Sequence, residues 1–452
     1  MTTDGVWTPG RRALTLGLVF TVTLVGFEGL AVATILNVIS DDLHGISLIG
    51  WIYSAFFLGN LFGVIAAGRD ADRHGPARPF LFGLVLFGLG LAAGGLAPNM
   101  GALIAARAVQ GIGAGTIPAV AYAAVGRAYP PALQPRMFAV MSSAWVLPGL
   151  IGPAISGAVA SAVGWRWVFL GLLPLVVLAA AMTTPALRVL GAPGGDEPVD
   201  RRVDALTLVV GAGLVLAGVS SHSLIAAPLL VVGGFVVGTR AFLRLVPPGT
   251  VRFARGLPAA VALRGLLTFA FFGTDGYVSF TVTSVRHESI VLGGLALTVA
   301  TMTWTIGSWI VERRVHRIGP PKFVRVGLFV IACGIALMIA VAQAVLPAAV
   351  AVLAWGVGGL GMGLTYTPIT LIVLGDATEG TEGTASASMQ LCDTLGVALG
   401  TGVVGAIVAA GHALAWTGGT ALTAAFILCG LVAVAAAAIA TRVRPRVDRA
   451  SA

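Results

Sequence analysis

The feature that most constrains this chain is the recurrence of long apolar runs. A helix needs roughly 20 such residues to cross a bilayer, and run after run comes near that length or exceeds it. Fourteen are legible, at 13–39, 46–67, 79–96, 101–125, 137–163, 167–187 and 205–221, then 224–242, 258–285, 291–311, 324–344, 346–374, 384–409 and 418–441. Only 10% of the residues are charged, against about 25% in a soluble domain. The expected fold class is therefore an all-α polytopic membrane protein with 14 transmembrane helices. Helices are the only open-ended structures that satisfy their backbone polar groups inside lipid.

Charge tests that count. With both termini on the inner side, 24 of the 27 lysines and arginines fall in inner loops or tails, Arg255 and Arg264 among them. Only Arg107, Arg166 and Arg286 remain, which is the asymmetry of an even number of spans with cytoplasmic ends. The net charge of +9 thus belongs to topology and to anionic lipid, and nucleic acid is not an expected partner. One inner loop runs against the pattern, with Asp376, Glu379 and Glu382 acidic and no basic partner beside them.

Organisation follows from the hydrophilic breaks. The stretches 188–204 and 244–256 bracket two short spans that turn at His222. The expected division is residues 1–190 as a six-helix bundle, 191–257 as a linker with two inserted spans, and 258–452 as a second six-helix bundle. No cleavable leader is legible, so span 1 is expected to act as the targeting signal. Cys333, Cys392 and Cys429 are scattered in apolar runs with no metal spacing.

Charge inside lipid is costly and normally functional. Four residues meet that description: Glu28 in span 1, Arg107 in span 4, Asp275 in span 9 and Asp393 in span 13. Glu28 lies near mid-bilayer depth, where desolvation favours the protonated form, so it is a candidate to take up and release a proton. Asp275 occupies the middle of its own span. Arg107, Gln110 and Gly111 share one helix face, and Arg107 either pairs with Glu28 or snorkels to the outer interface. Trp145, Trp304, Trp355 and Tyr366 lie within spans and are candidates to line an apolar, cation-tolerant cavity, with Gln390 beside Asp393. Trp165-Arg166-Trp167 reads as an interfacial anchor.

Between spans 2 and 3 runs GRDADRHGPAR, expected to be a tight loop in which Gly68, Asp72, Arg73, Gly75 and Arg78 carry the pattern G-x-x-x-D-R-x-G-x-x-R. That pattern resembles the corresponding loop of the major facilitator superfamily. Three further stretches extend the resemblance over most of the chain. Arg107-x-x-Gln110-Gly111-x-Gly113 is similar to the span 4 motif. Gly152-Pro153-x-x-x-Gly157 is similar to the span 5 motif of the antiporters, although Ser156 replaces a usual glycine. Arg317-x-Gly319-x-x-Lys322 echoes the first loop after span 10.

With fourteen spans, the chain resembles the fourteen-span drug:proton antiporters. It departs from them in span 1, where Glu28 replaces the usual aspartate and Leu36-Asn37 lacks the usual proline. The resemblance implies alternating access between two bundles, with Glu28, Arg107, Asp275 and Asp393 as proton-coupling candidates. The Gly68–Arg78 loop would act as a gate, and small hydrophobic or cationic drugs would leave against protons. It further implies a bacterial cytoplasmic membrane, both termini inside, a monomer, a proton gradient as energy source, and no cofactor or metal. No nucleotide loop or catalytic set is legible, so an enzyme is not expected. A dedicated exporter of one metabolite, or a non-transporting receptor on the same fold, are the alternatives.

Overall fold

The computed structural model describes residues 5–44, 48–192, 201–219 and 225–443. Every described element is helical. The turn expected at His222 lies outside the described residues, as do residues 193–200 of the 188–204 stretch.

The first bundle begins with α1 (Arg12–Asp42), α2 (Ile49–His74), α3 (Ala77–Gly95) and α4 (Met100–Ala128). Span 5 is divided into α5 (Gln134–Ser143) and α6 (Val146–Val163), and span 6 into the short α7 (Arg166–Leu170) and α8 (Leu173–Arg188). Next come α9 (Arg202–Val219) and α10 (Ala226–Leu245). The remaining spans are α11 (Leu257–Phe280), α12 (Ile290–Ile318), α13 (Pro320–Ala342), α14 (Val350–Asp376), α15 (Glu382–Ala413) and α16 (Gly418–Ile439).

Among the described residues, twelve helices are long and apolar enough to cross a membrane, or thirteen if the bent α5–α6 pair counts as one span. The expected count of fourteen is not reached among the described residues; α9, the remaining long helix, has 18 residues and ends where the described residues end.

The charged bridge after span 2 is the clearest departure from expectation. Helix α2 continues through Gly68, Asp72 and Arg73 to His74. The loop shrinks to Gly75, at φ 80°, and Pro76. Charged residues do not stop a helix once it leaves lipid; a glycine in a non-helical conformation followed by proline does.

Contacts divide the chain into two units that do not follow a simple cut along it. The first contains Met1–Pro130, Leu147–Pro248 and Ala377–Leu391; the second contains Pro131–Val146, Gly249–Asp376 and Cys392–Ala452. The α9–α10 hairpin thus groups with the first unit, α5 with the second, and α15 has its first turns in one and its body in the other.

Each unit is held by a pair of helices whose backbones touch. In the first, a Cβ added at Gly59, Gly63, Gly111 or Gly115 would collide with a backbone carbonyl across the α2–α4 crossing. In the second, a Cβ at Gly359 or Gly363 would strike the carbonyls of Ala300 or Trp304 across the α12–α14 crossing. Lipid offers no hydrophobic drive for helix association, so close backbone approach through small residues supplies the attraction instead. Helices α4 and α14 are the most buried of their units, and each carries an internal proline, Pro118 and Pro368. They hold the charged and aromatic residues in place.

Candidate functional site

In the first unit, Glu28 of α1 and Arg107 of α4 form a buried ion pair, made by Arg107 Nη1 to Glu28 Oε1. Their side chains are 1% and 2% exposed. The same guanidinium nitrogen donates to Gln110 Oε1 at 2.6 Å, one turn further along α4, so the i,i+3 spacing read in the sequence becomes a contact. The guanidinium also lies 4.2 Å from the centroid of the Phe56 ring on α2. Arg107 therefore turns inward, and the snorkelling alternative is set aside. Three polar atoms of this cluster, Glu28 Oε2, Arg107 Nε and Gln110 Nε2, are buried with no hydrogen-bond partner among the described residues. Burying unpaired polar atoms is unfavourable by about 1–3 kcal/mol each. The carboxylate is thus half satisfied, with one oxygen held by arginine and the other without a hydrogen-bond partner among the described residues.

The second unit holds a counterpart that sequence reasoning missed. Arg264 lies seven residues past the start of α11, is fully buried, and places Nε 2.7 Å from Asp393 Oδ1 on α15. Its Nη1 donates to the Tyr366 carbonyl at 2.8 Å, and its guanidinium lies 3.1 Å from the centroid of the Tyr366 ring on α14. The Tyr366 hydroxyl donates to Asp393 Oδ2 at 3.3 Å. The charge pattern of the sequence puts Arg264 with the inner-loop arginines, whereas the structure sets it within α11. The available signal was its distance from Pro258, which leaves room for two helical turns before the charge.

From that pair an aromatic wall extends through the second unit. Tyr366 meets Trp304 at 5.3 Å, Trp304 meets Phe271 at 5.8 Å, and Phe271 stacks on Trp355 at 4.9 Å. The Trp355 indole N–H donates to Asp275 Oδ1 at 2.6 Å. The fold thus brings together Asp275, Trp355, Trp304, Tyr366 and Asp393, five residues from four spans. Phe271 and Arg264 are the members the sequence did not single out. Trp145, nearly half exposed, has no ring contact in this wall. Gln390 is buried on α15, three residues before Asp393, and falls in the other unit's part of that helix.

Asp72 occupies a different kind of site. Its carboxylate accepts from the backbone N–H of Gly383 and of Thr384, both at 2.7 Å, and from the Thr384 hydroxyl at 2.6 Å. These donors open α15, so Asp72 caps that helix from a distant part of the chain and sits at the positive end of its dipole. Gly68 makes this approach possible, since a Cβ there would collide with Ala387 and the Gly383 carbonyl. Arg78 reaches Asp70 at 3.9 Å, the outer limit of an ion pair.

The span 5 motif bends its helix. Residues Gln134–Gly152 and Ala154–Val163 meet at 43°, with Pro153 at the break. A Cβ on Gly152 would be 3.7 Å from Phe27 and Leu30 of α1, on either side of Glu28 in sequence, whereas one on Gly157 would meet open space. On the opposite ends of these helices, Trp165 Nε1 and Arg166 Nη1 donate to Asp42 Oδ2 at 3.0 and 2.8 Å. The expected interfacial anchor is thus also a clasp between α7 and the end of α1.

Comparison with known proteins accords with this geometry. The family model described as Major Facilitator Superfamily matches residues 16–401. A probable multidrug-efflux transporter of Mycobacterium tuberculosis is 27% identical over 386 residues, covering 81% of each chain. Multidrug transporter protein MdtP of Bacillus subtilis is 25% identical over 411 residues, 88% of this chain and 75% of its own. Among solved structures, the human organic anion transporter TETRAN superposes with a TM-score of 0.68 at 15% identity, over 94% of this chain and 99% of its own. The proton:xylose symporter XylE gives 0.68 at 14% identity, over 94% of both chains. At such identities these two establish the fold alone.

Proposed function

The chain belongs to the major facilitator superfamily, and we propose from that premise that it exports small hydrophobic or cationic compounds in exchange for protons. It is a multi-pass membrane transporter and not an enzyme. The observation that carries the reading is the sealed Glu28–Arg107–Gln110 cluster with its unsatisfied carboxylate oxygen. Protonating Glu28 removes its charge, weakens its hold on Arg107, and leaves the arginine to Gln110 and the Phe56 face. Proton binding in this way changes which helix-to-helix contacts are favourable, which is what alternating access requires. The efflux names of relatives at 25–27% identity support the direction of transport.

The aromatic wall supports the substrate class. Indole and phenol faces attract a cation by about 0.5–2 kcal/mol each, and two carboxylates flank them. In this proposal Asp275 and Asp393 meet the substrate's charge while Glu28 handles the proton. The Asp72 cap on α15 serves as the gate, and Arg73, Gly75 and Arg78 shape its turn. Fourteen spans, both termini in the cytoplasm of a bacterial cell, a monomeric carrier and an energy source limited to the proton gradient complete the proposal. Inverted vesicles carrying a pH-sensitive dye provide the test. Adding a lipophilic cation to energised vesicles should release protons with wild type and not with Glu28→Gln. Undiminished release by Glu28→Gln would refute proton coupling at this residue.

A further inference from the structure

A cavity lies in the first unit where the start of α3 meets the end of α8, beside the turn that the proposed gate uses. It measures about 550 Å³. One end is basic, with His74, Arg78 and Arg188 in its lining. The wall beyond is apolar, formed by Leu81, Phe82 and Val85. Phe82 and Val85 are exposed on a face of α3 that also presents Leu89, as expected of a surface turned to lipid. The basic end coincides with the point where α3 leaves the apolar zone.

Two features set this end apart from a simple positive patch. Helix α3 starts at Ala77, so the N–H groups of Ala77 and Arg78 have no partner within the helix and carry its positive dipole end. Thr184, also in the lining, is nine-tenths buried, and its hydroxyl has no hydrogen-bond partner among the described residues. Asp70 offsets part of the charge, bonding His74 at 2.8 Å and reaching Arg78 at 3.9 Å. Arg188 is exposed beyond it.

We propose that this cavity binds an anionic glycerophospholipid. The phosphate lies between Arg78, Arg188 and the start of α3, and an acyl chain runs along Leu81, Phe82 and Val85. A soluble phosphate would leave the apolar wall without a role, and a zwitterionic lipid would leave the arginines without a counter-charge. The two chemistries meet only in an anionic lipid.

Native mass spectrometry of the full chain, released from micelles holding equal phosphatidylglycerol and phosphatidylcholine, provides the test. Wild type should retain phosphatidylglycerol preferentially. Arg78→Gln with Arg188→Gln should lower that retention by roughly thirtyfold, in line with two lost charges near a lipid surface. Arg252→Gln with Arg255→Gln, the same charge change on the second unit, should leave it unaltered. Millimolar glycerol phosphate should not displace the lipid; displacement would assign the site to a soluble anion. Equal retention of both lipids by wild type would overturn the proposal. Equal loss in both double variants would overturn it too, by reducing the effect to net charge.

Discussion

In the first unit, an arginine and a carboxylate meet behind almost complete burial, with Glu28 and Arg107 at 1% and 2% exposure. In the second, Arg264 is fully buried, but its partner Asp393 keeps 18% of its side chain exposed. Both guanidinium groups lie over an aromatic ring, Phe56 in one case and Tyr366 in the other. They differ in how fully the carboxylate is served. Glu28 Oε2 has no polar contact among the described residues, whereas both Asp393 oxygens have one, Oδ1 an ion-pair approach of Arg264 Nε without hydrogen-bond geometry and Oδ2 the Tyr366 hydroxyl. In the proposed function, the sealed carboxylate handles the proton and the partly open one meets a charged ligand.

The largest effect expected from breaking this contrast is at Glu28. Glu28→Gln should reduce proton-driven efflux to the level of empty vesicles. It should also destabilise the protein by about 3 kcal/mol, because Arg107 stays buried without its counter-charge. Glu28→Gln combined with Arg107→Gln should recover much of the thermal stability and none of the transport. Recovery of both would make the pair structural.

Asp393→Asn should cost less. Arg264 keeps the Tyr366 carbonyl and ring, and water reaches the site, so a destabilisation of about 1–2 kcal/mol is expected. Transport of a lipophilic cation should fall about tenfold through a weaker KM, as the loss of one charge-assisted contact would give. A loss of stability equal to that of Glu28→Gln, measured by thermal unfolding in detergent, would erase the distinction between the units.

Asp72→Asn sharpens the comparison from outside, since this carboxylate is served by backbone N–H groups instead of arginine. Asparagine retains an acceptor but not the charge, and the lost cap should amount to about 1 kcal/mol. Severalfold slower transport with normal membrane insertion is the expected result. Wild-type rates would return α2's charged end to a purely topological role.

The smallest effect is at Asp42, beyond the membrane-crossing part of α1. Hydrogen bonds from Trp165 and then Arg166 hold its carboxyl below the ordinary carboxylate value. Its contribution to stability is therefore complete above about pH 4 and is lost as the pH falls through the lowered value. Asp42→Asn should show a slightly lower Tm at neutral pH, and the gap should close in acid. A gap that persists at low pH would remove the clasp.

Much of this was legible in one dimension. Run length against bilayer thickness gave helices, the arginine distribution gave an orientation to test, and depth within a span singled out Glu28, Asp275 and Asp393. The i,i+3 relation placed Gln110 beside Arg107 before any contact was known. Each inference concerns a residue's position along an axis or its neighbour within one helix, which sequence order fixes. The partners across helices were another matter. Glu28 meets Arg107 79 residues away, and Asp72 meets Gly383 across 311. Arg264 looked like a loop arginine until α11 turned it toward Asp393, and GRDADRH looked like a loop until α2 carried it as helix to Gly75. Helix rotation and crossing are set by backbone packing at glycines such as Gly63 and Gly363, and that packing involves two helices at once. The sequence by itself set Glu28, Arg107, Asp275 and Asp393 within apolar runs; only the tertiary structure added Arg264 to them and decided which of these charges face each other.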